Sequence, residues 1–214
     1  MLIFQCLVIM IIYYITMGVI DNIGIYIIIS VILLVCLNIY SNSDAYNLKC
    51  IISNVDGETY CVRDRMKMEL AADLLAEVTI KCKKLVIYCG KKYPHDKDVM
   101  RLLNNYNPKK ITETLPTSEY TAYSENKGEK LAFCLNTSKK GDKLIGISTL
   151  TFVAIHELAH VMTVSEGHTQ EFWSNFKFLL ENAKDANIYT PIDYKKDPVP
   201  YCGMEITDNP YYNL

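Results

Sequence analysis

The chain has 214 residues, half of them hydrophobic and 21% charged, with a formal net charge of −2, so there is room for one compact domain with sequence left over. Nine Gly and seven Pro exclude a collagen-like or low-complexity chain, and the apolar content excludes full disorder. The charge is segregated: all 22 Lys and Arg lie at Lys49 or beyond, and Asp21 is the one charged side chain before Asp44.

Residues 1–40 read as a membrane segment. Two nearly unbroken runs of Ile, Leu, Val, Met and Tyr, 2–20 and 23–40, are separated by Asp21-Asn22 with Gly24 just after, and about 20 apolar residues span a bilayer core. One continuous helix over both runs would be roughly twice too long at about 1.5 Å per residue. A transmembrane helical hairpin turning at Asp21-Asn22-Gly24 is the expectation, with one tilted span beside an interfacial segment as the alternative. A cleaved signal peptide fits worse, because the start has no basic region and no small-residue cleavage pattern. The first basic residues beyond the runs, Lys49, Arg63 and Arg65, place the following domain on the cytosolic side of the membrane. Six of the eight Cys (Cys50, Cys61, Cys82, Cys89, Cys134, Cys202) fall in that domain without a CxxC pair, which reads as buried free thiols with pairing left open. The sequon Asn136-Thr137-Ser138 matters only if the domain is lumenal.

After a polar linker, 41–47, the chain changes character and reads as an α+β domain over 48–188. Residues 50–52 and 59–62 flank Asp56-Gly57, a hairpin signal. From 66 to about 88 the apolar positions recur at helical spacing, with Gly90 as the stop signal. A shorter helix over 96–105 ends before Pro108, and 120–124 pairs with 130–135 across Glu125-Asn126-Lys127-Gly128. The tail, 189–214, holds five Tyr and four of the seven Pro, so it is expected to wrap the domain without regular structure.

The chemistry lies in Leu150-Thr-Phe-Val-Ala-Ile-His156-Glu157-Leu158-Ala159-His160, an H-E-x-x-H in a segment free of Pro and Gly from Ile147 to Glu166. Four residues advance a helix by about one turn, so His156 and His160 project from one face toward a single ion. Glu157, one residue round, can reach a metal-bound water, where a general base is needed. A catalytic zinc site takes three protein ligands and keeps an open position. Gly167 can bend the chain so that His168, ahead of a helix over 169–183, supplies the third, with Glu171 or Glu166 as carboxylate alternatives. His95, in a Tyr-Pro-His-Asp context, reads as a surface residue.

Cys134-Leu-Asn-Thr, the H-E-x-x-H segment, Gly167-His-Thr-Gln-Glu-Phe-Trp173 and Tyr201-Cys-Gly203 resemble the WLM-type and SprT-like zinc metallopeptidases, in particular membrane-anchored versions encoded by large nucleocytoplasmic DNA viruses. The resemblance covers residues 120–210. It implies a zincin-like fold, with the active-site helix under a small sheet, and makes His156, His160 and His168 the Zn2+ ligands and Glu157 the base. The spacing from His160 to His168 departs from that of the better-known cellular members. In such peptidases a protein or peptide substrate adds to the free edge of the sheet above the metal helix. Residues 130–135 are the candidate for that edge, with an ordinary half-buried strand as the competing reading; Phe172 and Trp173 read as core anchors, and Tyr194 or Tyr201 as a possible oxyanion donor.

The expectation is therefore a membrane-anchored zinc metallopeptidase. A non-catalytic, zinc-binding, membrane-tethered interaction module is the alternative, set back because Glu157 would have no structural task. A protease acting on protein crosslinked to DNA, which the resemblance alone implies, ranks below both, since the near-neutral domain lacks the basic excess that duplex binding requires.

Overall fold

A long apolar run satisfies its backbone within itself most simply as a helix, and Ile23–Ser41 forms one, α1, of 19 residues. At about 1.5 Å per residue it is roughly 28 Å long, close to the thickness of a bilayer core. Among the described residues it is the one helix long and apolar enough to cross a membrane. The computed structural model describes residues 9–11, 23–41 and 48–213. The first run of the expected hairpin, 2–20, and its Asp21-Asn22 turn therefore lie outside the described residues, apart from helical residues 9–11. The chain divides into two units, Met1–Tyr46 and Asn47–Leu214, and the tail belongs to the second.

The second unit is a mixed α/β domain built on a five-stranded sheet. β1 (Leu48–Ile52) and β2 (Thr59–Arg63) form the expected antiparallel hairpin, with Gly57 at φ 74° in its turn. Asp56 fixes that turn by accepting from the Glu58 amide at 3.0 Å and the Tyr60 hydroxyl at 2.8 Å. The register sets Cys50 opposite Cys61, and the two form a disulfide.

α2 (Met68–Lys92) runs past the expected stop at Gly90. Gly90 serves close packing instead: a Cβ there would meet Leu103 Cδ1 at 2.7 Å, so the missing side chain lets α3 (Lys97–Asn105) approach. Asp96 caps α3 by accepting from the Asp98 and Val99 amides, both at 2.9 Å.

β3 (Ile111–Glu113), which has too few residues to show a period, is the centre of the sheet. β4 (Ala122–Glu125) and β5 (Lys130–Phe133) form the second expected hairpin. The strand order is β1-β2-β3-β5-β4, parallel at β2/β3 and β3/β5 and antiparallel at both ends. This order corrects the expected substrate edge: Lys130–Phe133 is interior, paired on both sides, and among the described residues the free edges are β1 and β4.

α4 (Ile147–Met162) packs on α2, on β4 and on α5 (Gln170–Asp185). The tail is also corrected. It wraps the domain, burying Tyr189, Tyr194 and Tyr201, but it forms an antiparallel hairpin, β6 (Val199–Tyr201) and β7 (Met204–Ile206), and a last helical turn, α6 (Pro210–Asn213). Cys202 and Gly203, at φ 51° and 84°, make the tight turn. The Cys134–Cys202 disulfide and the Cys202 and Gly203 amides on the Asn136 and Thr137 carbonyls, each at 2.9 Å, tie it down. Cys82 and Cys89 remain buried free thiols, pushed up by burial to about 12.

A buried ion network adjoins the attachment of the tail through Asn136. Glu113 of β3 accepts from the Arg63 amide at 2.8 Å and pairs with the guanidinium groups of Arg63 and Arg65. Arg63 also donates to the Thr114 and Lys139 carbonyls, and Arg65 to Asn136. Asn136 is thus buried and hydrogen-bonded, which removes its sequon as a glycan acceptor in the folded protein.

Candidate metal centre

α4 is apolar along nearly all its length and buried from Leu150 to Met162 except at His156 and His160, which stand half-buried on one face. Its end comes earlier than Glu166. Thr163 turns its Oγ1 onto the Ala159 carbonyl at 2.7 Å, and Arg101 Nη1 takes the Met162 carbonyl at 2.5 Å, so side chains replace the next helical turn. The chain then reverses through Gly167 at φ 77° to the Thr169 N-cap of α5, leaving His168 exposed on the return.

The reversal brings the three imidazoles together. Ring centroids stand 4.9 Å apart for His156 and His160 and 5.0 Å for each of the other two pairs, a nearly equilateral triangle. Nε2 of His156 and of His168 are 3.1 Å apart, and one ligand atom from each ring lies within 4.8 Å of the other two. The edge of a tetrahedron with zinc–nitrogen bonds of about 2.0–2.1 Å is roughly 3.3 Å, which the His156–His168 pair matches.

Phe172 is the floor of this triangle. It is fully buried, stacks on His160 at 4.3 Å and meets His156 and His168 edge-on at 4.8 and 4.7 Å. Trp173 lies beside His168 at 5.6 Å. Phe172 is a core anchor, as its sequence context suggests, and also the surface that orients three rings. The available signal was its place four residues after His168 and four before Phe176 on the apolar face of α5.

Burial, followed by the neighbouring imidazoles, holds His156 down at about 3. Burial, His168 and Lys127 together hold His160 at about 4. Both rings are therefore neutral at pH 7, the form that offers a lone pair to a metal. Glu157 is 4% exposed, and burial pushes its carboxyl up to about 8.

The other candidates are placed elsewhere. Glu166 and His95 are exposed. The Glu171 carboxylate is occupied by the Val164 and Ser165 amides at 3.0 and 3.1 Å and the Ser165 hydroxyl at 2.7 Å, which hold it down at about 2. Tyr194 packs on Phe152 with its hydroxyl 3.4 Å from that of Tyr189. Tyr201 donates to the Thr121 carbonyl at 3.0 Å, so its proton is committed; burial and the Glu157 charge raise its phenol.

Fold and site define a mixed α/β domain with a three-histidine candidate metal centre. No protein-family model matches the chain. It is 34% identical over 196 residues to the uncharacterized protein R325 of Acanthamoeba polyphaga mimivirus, covering 86% of this chain and 97% of that one. The chain belongs to the same family as R325. It is 33% identical over 92 residues to the uncharacterized protein 136R of Invertebrate iridescent virus 6, covering 42% of this chain and half of that protein. Among solved structures, Wss1 from Saccharomyces cerevisiae aligns with a TM-score of 0.45 at 18% identity over 59% of this chain and 87% of Wss1. A mutant Wss1 from S. pombe aligns with a TM-score of 0.39 at 20% identity over 57% of this chain and 92% of its own.

Proposed function

We propose that this protein is a zinc-dependent peptidase anchored to a membrane through its N-terminal segment. The observation that carries the reading is the convergence of His156, His160 and His168, with the buried Glu157 following His156 on the same helix. The three histidines would hold the ion. With zinc held there, the site would have a polarised carbonyl and a water with a pKa near 7.

The remaining work falls to the chain. Glu157 receives the water's proton on its carboxylate and passes it to the leaving amine. Left alone, its raised pKa would keep it protonated at pH 7, and a cation held by the histidines would lower it toward the range of a base. Phe172 keeps the imidazoles in place. β4 offers a free edge, its partner β5 on one side only, and it packs against α4. An extended peptide added to Ala122–Glu125 would be fixed by backbone hydrogen bonds with little sequence preference.

Two disulfides support an oxidising compartment for the domain and weigh against the cytosolic side expected from the basic residues. The apolar α1 supports the bilayer as a partner.

The test is casein digestion by the full chain in detergent, with zinc analysis of the same preparations. Wild type is expected to digest and to hold one zinc; His156→Ala should lose both properties, and Glu157→Gln only digestion. Undiminished digestion by Glu157→Gln would remove the peptidase assignment and leave a zinc-binding module.

A further inference from the structure

We propose that Lys127 and Glu171 are positioning residues that clamp the turn carrying His168 from opposite sides and so set the third metal ligand. The proposal rests on reading the three histidines as a zinc site and extends it to side chains that never touch the ion.

Residues 164–168 follow the buried Thr163 and reverse the chain with little burial to hold them. Val164 is 61% exposed, and Glu166, Gly167 and His168 are exposed as well. A turn that the hydrophobic effect does not fix takes its shape from how its backbone polar groups are paired. Here the pairing is divided by chemistry. On the carbonyl side, Lys127 Nζ donates to the oxygens of Thr163 at 3.3 Å and Ser165 at 2.9 Å, beside Arg101 on the Met162 oxygen. On the amide side, Glu171 accepts from the nitrogens of Val164 and Ser165, one carboxylate oxygen to each. Ser165 Oγ, bonded to Glu171 at 2.7 Å and to Thr169 Oγ1 at 2.6 Å, ties the clamp to the start of α5.

Lys127 reaches the turn because its own strand connection is wedged in place. It sits in the β4–β5 turn with left-handed backbone at Asn126 and Lys127, φ 48° and 55°. The next residue, Gly128, has no room for a side chain: a Cβ would meet the Asn105 carbonyl at 2.7 Å and Val161 Cγ1 at 2.8 Å. The hairpin tip is thereby lodged between the end of α3 and the last turn of α4, which delivers the ammonium to the carbonyls beyond Met162.

Two lesser roles give different results. A simple cap on the C-terminus of α4 would support folding without altering metal affinity. A purely electrostatic role has the opposite sign, because Lys127 places positive charge near His160 and its removal would tighten binding of another cation. Positioning alone makes the neutral variant bind metal more weakly in a protein of nearly unchanged stability.

The experiment measures zinc affinity of the full chain in detergent by chelator competition, the visible absorption of the cobalt-loaded protein, and the melting temperature without metal. Lys127→Met and Glu171→Gln are each expected to weaken zinc binding about 10–100-fold and to alter the cobalt spectrum, as loss of groups that orient ligands commonly does. Lys127→Arg should recover affinity to within about threefold of wild type, since its fork can span the same two carbonyls. Ser165→Ala, which removes only the hydroxyl ties, serves if Lys127→Met fails to fold and should still weaken binding several-fold. Unchanged or tighter binding in folded Lys127→Met, or in Ser165→Ala where that variant stands in, overturns the clamp. His156→Ala separates the two levels. If wild type takes up no zinc that His156→Ala loses, the metal-site reading falls and the clamp with it; if it does, and the clamp variants bind as wild type, only the clamp falls.

Discussion

His156 and His160 are held by a helix, His168 by a turn, and the two supports differ in kind. On α4 the backbone is self-satisfied, the neighbours are buried, and two rings four residues apart share a face whatever happens elsewhere. From Met162 to Ser165 the backbone groups that the helix leaves over are taken by Arg101, Lys127 and Glu171, which come from three other segments. Two of the proposed ligands are therefore intrinsic to a local sequence and the third is conditional on tertiary structure. That contrast predicts where damage will be local and where it will propagate.

The largest effect belongs to the intrinsic half. Glu157→Gln keeps size and hydrogen-bonding capacity but removes basicity, so hydrolysis should fall about 10²–10⁴-fold with zinc affinity nearly unchanged. Steady-state kinetics paired with chelator competition checks it. Next comes a stability effect remote from the metal. Glu113 is 1% exposed between two arginines, and Glu113→Ala would leave buried guanidinium charge uncompensated, a loss of about 3–5 kcal/mol. At roughly 2–4 °C per kcal/mol, the melting temperature should drop on the order of 10 °C. A drop under 2 °C would show that water reaches the pair.

The same division governs what was legible in the sequence. Both hairpins, α2, α3, α4 and α5 announce themselves through period and turn chemistry, and the H-E-x-x-H carries two ligand candidates and the base candidate by spacing alone. β3 is illegible because three residues have no period; its place depends on Glu113 meeting two arginines about 50 residues away. Without β3 the strand order cannot be written, and so Lys130–Phe133 looks like an edge. The early end of α4 is hidden for a related reason: nothing within Thr163-Val164-Ser165 reveals that Arg101 and Lys127 will take its carbonyls. Glu171 was visible as a carboxylate near His168, but its duty to two amides exists only once the turn is closed.

The pH dependence of stability sharpens the contrast. In the metal-free protein His156 and His160 are held at about 3 and about 4, below the ordinary 6.5, so their contribution is present above pH 6.5 and lost as pH falls through the folded values. Glu157, raised from 4.5 to about 8, works the other way: its contribution is full below 4.5 and is lost as pH rises to 8. Between pH 6.5 and 8, Glu157 is the one of the three still acting, and its share is at most about 2 kcal/mol over that interval. Melting of the chelator-treated protein should therefore fall from pH 6.5 to 8 by more in wild type than in Glu157→Gln. Equal falls would place the Glu157 carboxyl in contact with solvent.

The smallest effects come from two glycines at either side of the contrast. Gly146, the N-cap of α4, and Gly167, in the His168 turn, both face open space, with nothing within 4 Å of an added Cβ. Sterics cannot tell them apart, but backbone angles can. Gly146 has φ −75° and ψ 153°, the extended geometry of an N-cap, so Gly146→Ser fits without strain and adds an oxygen for the first free amides, a gain of a few tenths of a kcal/mol. Gly167 has φ 77°, where an L side chain costs about 1–2 kcal/mol, so Gly167→Ala should lower the melting temperature by a few degrees. Because the turn is held by polar ties rather than by burial, part of that strain should be relieved by shifting His168, and zinc affinity should fall with it. Gly146→Ser should leave zinc affinity unchanged. If Gly167→Ala lowers melting temperature but leaves zinc affinity at the wild-type value, the turn is stiffer than its exposed residues imply, and the third ligand is as firmly set as the two on the helix.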